Sequence, residues 1–165
     1  MVNETNNQDI KLRTKYLLEL IELIKTKKYD VKKLLANYEG TDWINITSNI
    51  TRPDPMLNGY YKYLFFKNDE FELYLFSWFP HAKSPIHNHP EKGCFVKILD
   101  GTLTEEVFTN KKELKLINKQ NLDTNSIGYR SGDYILHRIK NETNNIVKSI
   151  HIYFHQNFKV RTWNE

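Results

Sequence analysis

The sequence predicts a mainly β fold, a sandwich or small barrel, preceded by a short helical region. Beyond about residue 56, short runs rich in Tyr, Phe, Ile, Leu and Val alternate with turn residues, as in antiparallel β proteins. Before that point, apolar residues recur at helical spacing. A chain of 165 residues can bury a core of its own. We therefore expect one domain over 1–165, with helices in 1–45 and the barrel in 56–160.

Two helices are predicted in the first part of the chain. Residues 9–28 carry most of their apolar side chains close to one stripe, as an amphipathic helix does. A second helix is expected over Asp30–Asn37, because Asp30 is a good N-cap residue and residues 37–40 include the Asn and Gly that commonly end helices.

Seven strands are expected in the second part of the chain, each a short run bounded by turn residues. The turns include Asp100-Gly101 and Ser131-Gly132-Asp133, whose residue types favour tight reversals of the backbone. The predicted strands are Tyr60–Phe66, Phe71–Trp78, Cys94–Leu99, Thr102–Phe108, Glu113–Ile117, Tyr134–Ile139 and Ser149–Phe154.

Charge and composition argue against several classes of protein. Lys and Arg number 24 against 20 Asp and Glu, and no dense basic run or nucleic-acid motif accompanies the calculated pI near 9.0. The first ten residues lack the apolar segment of a signal peptide, and no apolar run approaches the roughly 18–20 residues that cross a bilayer. The single cysteine fits a reducing compartment. We expect a cytoplasmic monomer with neither nucleic-acid nor membrane partners.

A His-x-His pair, His87 and His89, is the first candidate site. On an extended segment, residues i and i+2 face the same way, so both imidazoles project together. Such a pair suits a divalent transition metal, although it is a weak signal alone and does not complete a coordination shell. Cys94 follows five residues later, and a lone cysteine is often an inert buried thiol.

A second motif strengthens the metal interpretation. Residues 132–141, GDYILHRIKN, fit the pattern G-D-x-x-x-H-x-x-x-N. Together with the His-x-His pair and CFVKILDG, this pattern resembles the cupin family, in which a glutamate usually stands where this chain has Cys94. The resemblance implies a double-stranded β-helix, or jelly-roll, barrel. It also implies a metal held by three neutral ligands, His87, His89 and His137, which leaves positions open for substrate and O₂ and suits Fe(II).

A third motif, Ser-x-His-x-Tyr at Ser149, His151 and Tyr153, places three polar side chains on one face of a predicted strand. With this motif and Cys94, the chain is similar to the cysteine dioxygenase family of thiol dioxygenases. The resemblance implies that Tyr153 faces the substrate beside Cys94, to which some members join it by a thioether cross-link. It also implies that Ser149 and His151 orient the Tyr153 hydroxyl; the alternative is a polar pair satisfied inside the barrel.

One segment departs from that family. Members that act on free cysteine usually carry Tyr-x-Arg before the metal motif, where this chain has Tyr60-Tyr61-Lys62. Lysine offers a point charge for a carboxylate in place of the planar fork of arginine. The resemblance implies substrate contacts from Lys62, Tyr60 and Trp78. Alternatively, Lys62 is a solvated strand lysine and Trp78 is a core residue.

The resemblance predicts an Fe(II)-dependent thiol dioxygenase of cysteine catabolism that oxidises free L-cysteine with O₂ to cysteine sulfinate. Two alternatives stay open. One is a dioxygenase for another small thiol, such as a mercapto-acid or a cysteamine-like amine. The other is a cupin that binds a metal without catalysis.

Overall fold

The structure, a computed structural model, describes residues 12–154 and 158–165. By its internal contacts the chain divides into a unit that ends at Asn49 and a unit that begins at Ile50. The described part of the first unit is helical, and the second unit is built mainly of strands.

The first unit contains the helices α1 (Leu17–Lys25), α2 (Val31–Ala36) and α3 (Asp42–Thr47). The predicted helix over 9–28 is interrupted in the structure: Leu12 is helical, Thr14 pairs with Tyr38 in a β-bridge, and α1 begins at Leu17 and ends at Lys25. Residues 9–11 of that prediction lie outside the described residues.

The boundaries of α2 follow the prediction. The Asp30 side chain caps the helix by accepting a hydrogen bond from the Lys32 N–H at 3.0 Å. The short helix α3 was not predicted, since its six residues give too few turns for a periodic signal. No helix among the described residues is long and apolar enough to cross a membrane.

The described part of the second unit contains ten strands in two antiparallel sheets. One sheet has the order β1-β2-β9-β4-β7, and the other has the order β10-β3-β8-β5-β6. The strands are β1 (Tyr60–Lys67), β2 (Phe71–Trp78), β3 (Ile86–His87), β4 (Cys94–Asp100), β5 (Leu103–Thr109), β6 (Lys115–Leu122), β7 (Ile127–Arg130), β8 (Ile135–Lys140), β9 (Val147–Phe154) and β10 (Thr162–Trp163).

The mainly β prediction is confirmed, and the seven predicted strands are present, β2 at its predicted bounds and the other six with shifted ends. The prediction over Glu113–Ile117 found only the start of β6, because this strand is almost entirely exposed and its polar sequence lacks a hydrophobic alternation. Strands β3, β7 and β10 were missed because they are two to four residues long.

The core of this unit lies between the two sheets, with Trp78 fully buried among residues of both. Asn141, the last residue of the second motif, ties the end of β2 to the end of β8. Its Nδ2 donates to the carbonyls of Trp78 at 2.9 Å and Phe79 at 3.2 Å, and its side chain is almost fully buried. The motif asparagine therefore holds the strands that carry the site.

Candidate metal centre and substrate pocket

The candidate metal centre forms where β3 meets β8. His87 and His137 occupy directly paired positions on these antiparallel strands. His89 lies two residues beyond His87, and its backbone N–H donates to the Gly132 carbonyl at 3.1 Å in the turn before β8. Strand pairing and the i, i+2 spacing bring the three rings together, with centroids 4.3, 4.6 and 4.9 Å apart.

The three rings point their Nε2 atoms at one another. Nε2 of His137 lies 2.9 Å from Nε2 of His89 and 3.1 Å from Nε2 of His87. All three ligand atoms lie within 4.8 Å of one another, close enough to bind one metal ion together.

Hydrogen-bond partners fix the tautomers of two of these rings. Nδ1 of His87 lies 2.8 Å from the Pro85 carbonyl, and Nδ1 of His137 lies 2.7 Å from Oε2 of Glu105. Burial opposes ionisation of Glu105, but hydrogen bonds from His137 and Arg130 lower its pKa to about 2. Both oxygens can only accept, so both Nδ1 atoms carry hydrogen and both Nε2 atoms present lone pairs. Lone pairs that converge repel unless a cation lies between them, so these residues fit a divalent metal.

Burial favours the neutral form of two of the three rings, His87 and His89. His89 is 1% exposed, and its Nδ1 has no hydrogen-bond partner within the described ranges. Burial first, and then the neighbouring histidines, lower the pKa of His89 and lower that of His87 to about 3. Neutral imidazoles are the form that binds a metal ion, so no proton has to leave these two rings at neutral pH.

Asn88, between the two histidines of the first motif, anchors them to the last strand. Its Oδ1 accepts from the Arg161 N–H at 2.7 Å, and its Nδ2 donates to Oδ1 of Asp133 at 2.8 Å. The Arg161 guanidinium also pairs with Asp133 at 2.7 Å. Because Asn88 is buried, these bonds satisfy polar atoms that water cannot reach, and they hold the His-x-His segment in place.

Cys94 begins β4 and directly faces Tyr153 on β9. Gly93 allows this entry to β4: its φ is +96°, and a Cβ there would lie 2.2 Å from the Tyr129 ring. Burial raises the pKa of the Cys94 thiol, and a hydrogen bond with Tyr153 opposes that rise. Burial also raises the pKa of Tyr153, so both groups are protonated at neutral pH.

Ser149 and His151 precede Tyr153 on the same face of β9. Nε1 of Trp78 donates to Oγ of Ser149 at 2.9 Å, and that Oγ lies 2.8 Å from Nε2 of His151. The rings of His151 and Tyr153 are nearly parallel, at 22°, with centroids 6.3 Å apart. Burial lowers the pKa of His151, so the ring is neutral. A chain of polar contacts therefore runs from the buried indole to the histidine beside Tyr153.

A cavity of about 320 Å³ lies beside the three-histidine cluster. Tyr153 and His151 form part of its wall, and His87 and His137 of the candidate metal centre form another part. Trp78 also lines this cavity. Its side chain is fully buried, and its N–H donates to Ser149, so Trp78 has a structural role as well.

Strand β1 contributes a cation to the wall, and Glu72 of β2 contributes a carboxylate. Lys62 is exposed and lines the cavity, with Nζ 5.5 Å from the centre of the Tyr74 ring. Tyr60 is buried and stacks on Trp78, with centroids 4.7 Å apart. Lys62 thus lines the same cavity as His87 and His137.

The sequence motifs did not identify the residues that support the cluster. Glu105 contacts His137, and Arg130 contacts Glu105, from strands that carry no motif. A signal was present in the predicted strand Thr102–Phe108, where Glu105 stands between Leu103 and Val107 on one face. A carboxylate between two core positions is expected to be buried and to need a charged or hydrogen-bonding partner. The alternation of the strand could therefore have marked Glu105 as a candidate site residue.

The sequence profile of the family described as cysteine dioxygenase type I matches residues 6–165. Cysteine dioxygenase type 1 of Rattus norvegicus is 33% identical over 91 residues, which cover 52% of this chain and 46% of the rat protein. The Homo sapiens protein of the same name is 32% identical with the same coverage. The matched segment spans about half the length of these curated relatives.

Solved structures show the same fold at low sequence identity. A sugar phosphate isomerase of the cupin superfamily from Silicibacter pomeroyi superposes with a TM-score of 0.50 and 18% identity, covering 61% of this chain and 62% of that protein. An oxalate oxidase in complex with the substrate analogue glycolate gives a TM-score of 0.53 and 14% identity, covering 66% of this chain and 56% of that protein. The predicted cupin barrel is confirmed.

Proposed function

The chain belongs to the cysteine dioxygenase type I family, and from this premise we propose that it is an Fe(II)-dependent thiol dioxygenase acting on free L-cysteine. The reaction adds both atoms of O₂ to the sulfur and yields cysteine sulfinate. The thiol supplies the electrons, so no further reductant is needed. The observation that carries the proposal is the convergence of three Nε2 atoms, two of them without hydrogen, beside a cavity that His87 and His137 line.

His87, His89 and His137 would hold Fe(II) through Nε2. Three neutral ligands leave the charge of the ion unreduced, which favours binding of an anionic thiolate. When bound, Fe(II) supplies the activation of O₂ and the one-electron chemistry that side chains cannot provide.

Lys62 would hold the substrate carboxylate. It is the cation of β1 that lines the cavity, and an ammonium group can donate to either carboxylate oxygen. Its flexible stem orients the substrate less strictly than a guanidinium fork would. Tyr60 and Trp78 complete this side of the cavity and give the substrate a rigid aromatic wall.

Tyr153 would donate a hydrogen bond to the oxygen atoms on which charge develops. Its raised pKa keeps the phenol protonated and therefore able to donate. His151, fixed on its other side by Ser149, would orient the hydroxyl. The apolar side chains of Phe76, Ile139 and Val160 line the same cavity and would exclude water from the reacting sulfur.

We also propose that Cys94 and Tyr153 become joined by a thioether. Their directly paired positions and their side-chain hydrogen bond support it. Forming a bond from Sγ to a ring carbon removes two hydrogen atoms, and O₂ accepts the two electrons. After turnover, the intact protein should be about two mass units lighter than its sequence, and Cys94→Ser should abolish that deficit. A wild-type protein that keeps its full mass after many turnovers would exclude the cross-link.

The proposal extends to a cytoplasmic monomer with no macromolecular partner. The single thiol, Cys94, is buried and free, which is compatible with a reducing compartment. A single species of about 20 kDa in solution would support the monomer.

Oxygen uptake by protein reconstituted with Fe(II) tests the proposed function. We expect uptake with L-cysteine, little uptake without a thiol, and loss of activity by at least ~1000-fold in His137→Ala, whose third ligand is missing. Uptake with mercaptopropionate or cysteamine but not with cysteine would favour another small thiol. No uptake with any thiol, from protein that binds iron, would favour a non-catalytic metal-binding cupin.

A further inference from the structure

We propose that Glu105 is a positioning residue of the candidate metal centre. Glu105 holds His137 in the tautomer that carries hydrogen on Nδ1, so that Nε2 presents its lone pair to the metal ion. This inference rests on the proposed function, because it concerns the metal ligands assigned there.

The Glu105 carboxylate is surrounded by donors. Oε1 accepts from Nε2 of Gln120 at 2.7 Å and from Nη2 of Arg130 at 2.8 Å. Oε2 accepts from Nε of Arg130 at 3.2 Å and lies 2.7 Å from Nδ1 of His137. The Arg130 guanidinium and the Gln120 amide therefore fix the orientation of the carboxylate independently of His137. The carboxylate can only accept a hydrogen bond from the imidazole.

The strands place this contact where the ring needs it. Val107 on β5 stands directly opposite His137 on β8, and Glu105 lies two residues before Val107 on the same face. Arg130 reaches the carboxylate from β7, in the other sheet. Glu105 is 4% exposed, so the hydrogen bond forms away from water and competes with little solvent.

The variant Glu105→Gln should change the tautomer of His137, moving its hydrogen from Nδ1 to Nε2. The amide nitrogen must replace one of the two oxygens, and at the Oε1 position it would face two donors. At the Oε2 position it would face one donor, Nε of Arg130, at the longer distance of 3.2 Å. There it can donate to Nδ1 of His137, provided the ring moves its hydrogen to Nε2. Hydrogen on Nε2 blocks the metal-binding lone pair, so this nearly isosteric change should weaken metal binding.

Glu106 provides a matched control. It is the next residue on β5, it is 6% exposed, and Oε2 accepts from Nη2 of Arg138 at 3.0 Å. Oε1 of Glu106 also pairs with Nζ of Lys140. Glu106→Gln therefore weakens a buried carboxylate–cation cluster, on the face of the strand that does not contact the three histidines. Any loss that comes from burying an amide in β5 should be equal in the two variants.

The test is a titration of metal-free protein with Co(II), followed by its visible absorbance, together with the melting temperature of the metal-free protein. We expect Glu105→Gln to weaken Co(II) binding by about 10–100-fold. We expect Glu106→Gln to keep it within about 2-fold, while both variants lower the melting temperature. Equal Co(II) affinity in the two variants, or wild-type affinity in Glu105→Gln, would overturn the inference.

Arg130→Lys decides the question if Glu105→Gln does not fold. It keeps the charge but loses the fork that orients Glu105, so it should weaken Co(II) binding by about 3–10-fold; unchanged affinity would count against the inference. A wild-type protein that binds no divalent metal would contradict the proposed function and this inference with it. If the wild type binds Co(II) only as tightly as Glu105→Gln does, the inference about Glu105 is contradicted but the proposed function is not.

Discussion

At the residue scale, the proposed selection of the substrate rests on one flexible cation. Lys62 lines the cavity beside Tyr74, in the segment where relatives that act on free cysteine usually carry arginine. A single ammonium group can neutralise a carboxylate, but it does not fix the plane of the carboxylate. The resemblance to the family predicts that Lys62 contacts the substrate carboxylate, and its single charge predicts a looser orientation of the bound thiol.

Replacing Lys62 tests this role. Lys62→Met should raise KM for L-cysteine by about 10–100-fold, the value of a charge-assisted hydrogen bond of about 1.5–3 kcal/mol. Lys62→Arg should lower KM, because a fork can bind both carboxylate oxygens. Steady-state oxygen uptake measures both, with Lys119→Met on exposed β6 as the control for general charge effects. Equal KM in Lys62→Met and the wild type would show that Lys62 is a solvated strand lysine.

Ser149 tests the chain of polar contacts that leads to Tyr153. Removing its hydroxyl in Ser149→Ala leaves the Trp78 N–H and Nε2 of His151 without their partner. We expect kcat to fall about 10-fold, with KM for cysteine changed less than 2-fold, because the phenol loses its orientation but the substrate keeps its contacts.

Ser77→Ala is the matched control for Ser149→Ala. Ser77 is also fully buried and accepts a hydrogen bond from Nζ of Lys148 at 2.7 Å, on the opposite face of β2 from Trp78. Its loss should cost stability of about 1–3 kcal/mol while kcat stays near the wild-type value. If the two variants lose kcat equally, Ser149 has only a packing role.

At the scale of elements, the long strands could be predicted from the sequence and the short ones could not. Strands β2 and β9 are rich in apolar and aromatic residues and are found at or near their predicted bounds. Strand β3 is two residues long and β10 is two residues long, so neither repeats an alternation. Their pairing is set by tertiary contacts, including the bonds of Asn88, that no local pattern contains.

The hydrogen bonds of Asn88, which link the segment after β3 to the segment before β10, predict a loss of both stability and metal affinity when this side chain is removed. Asn88→Ala removes the bonds to the Arg161 N–H and to Asp133, so it should lower the free energy of unfolding by about 2–3 kcal/mol. It should also weaken Co(II) binding about 10-fold, since both flanking residues are candidate ligands. Denaturant unfolding and metal titration measure the two effects.

Asn68→Ala is the control for Asn88→Ala. The Asn68 side chain accepts two backbone hydrogen bonds, from Glu70 and Phe71, in the turn between β1 and β2. Losing them should cost about 1 kcal/mol of stability and leave Co(II) affinity unchanged. If Asn88→Ala also binds Co(II) as the wild type does, β10 does not help to hold the histidines.

At the scale of the whole molecule, the barrel brings together motifs that are far apart in sequence. His87 and His137 are 50 residues apart and yet stand opposite each other in one sheet. The motif residues could be predicted because their types and spacing resemble a family. The supporting network of Glu105, Arg130 and Gln120 could not, because its members lie on three strands whose mutual positions depend on the fold.

The most direct test of the central claim is the fate of isotopically labelled dioxygen. Protein loaded with Fe(II) is given L-cysteine under ¹⁸O₂, and the mass of the product is measured. The proposed ferrous ion on three neutral histidines, with the thiol as the source of electrons, predicts a sulfinate about four mass units heavier than the unlabelled product. A sulfinate with one labelled oxygen or none, or cystine as the sole product, would contradict a dioxygenase at this site.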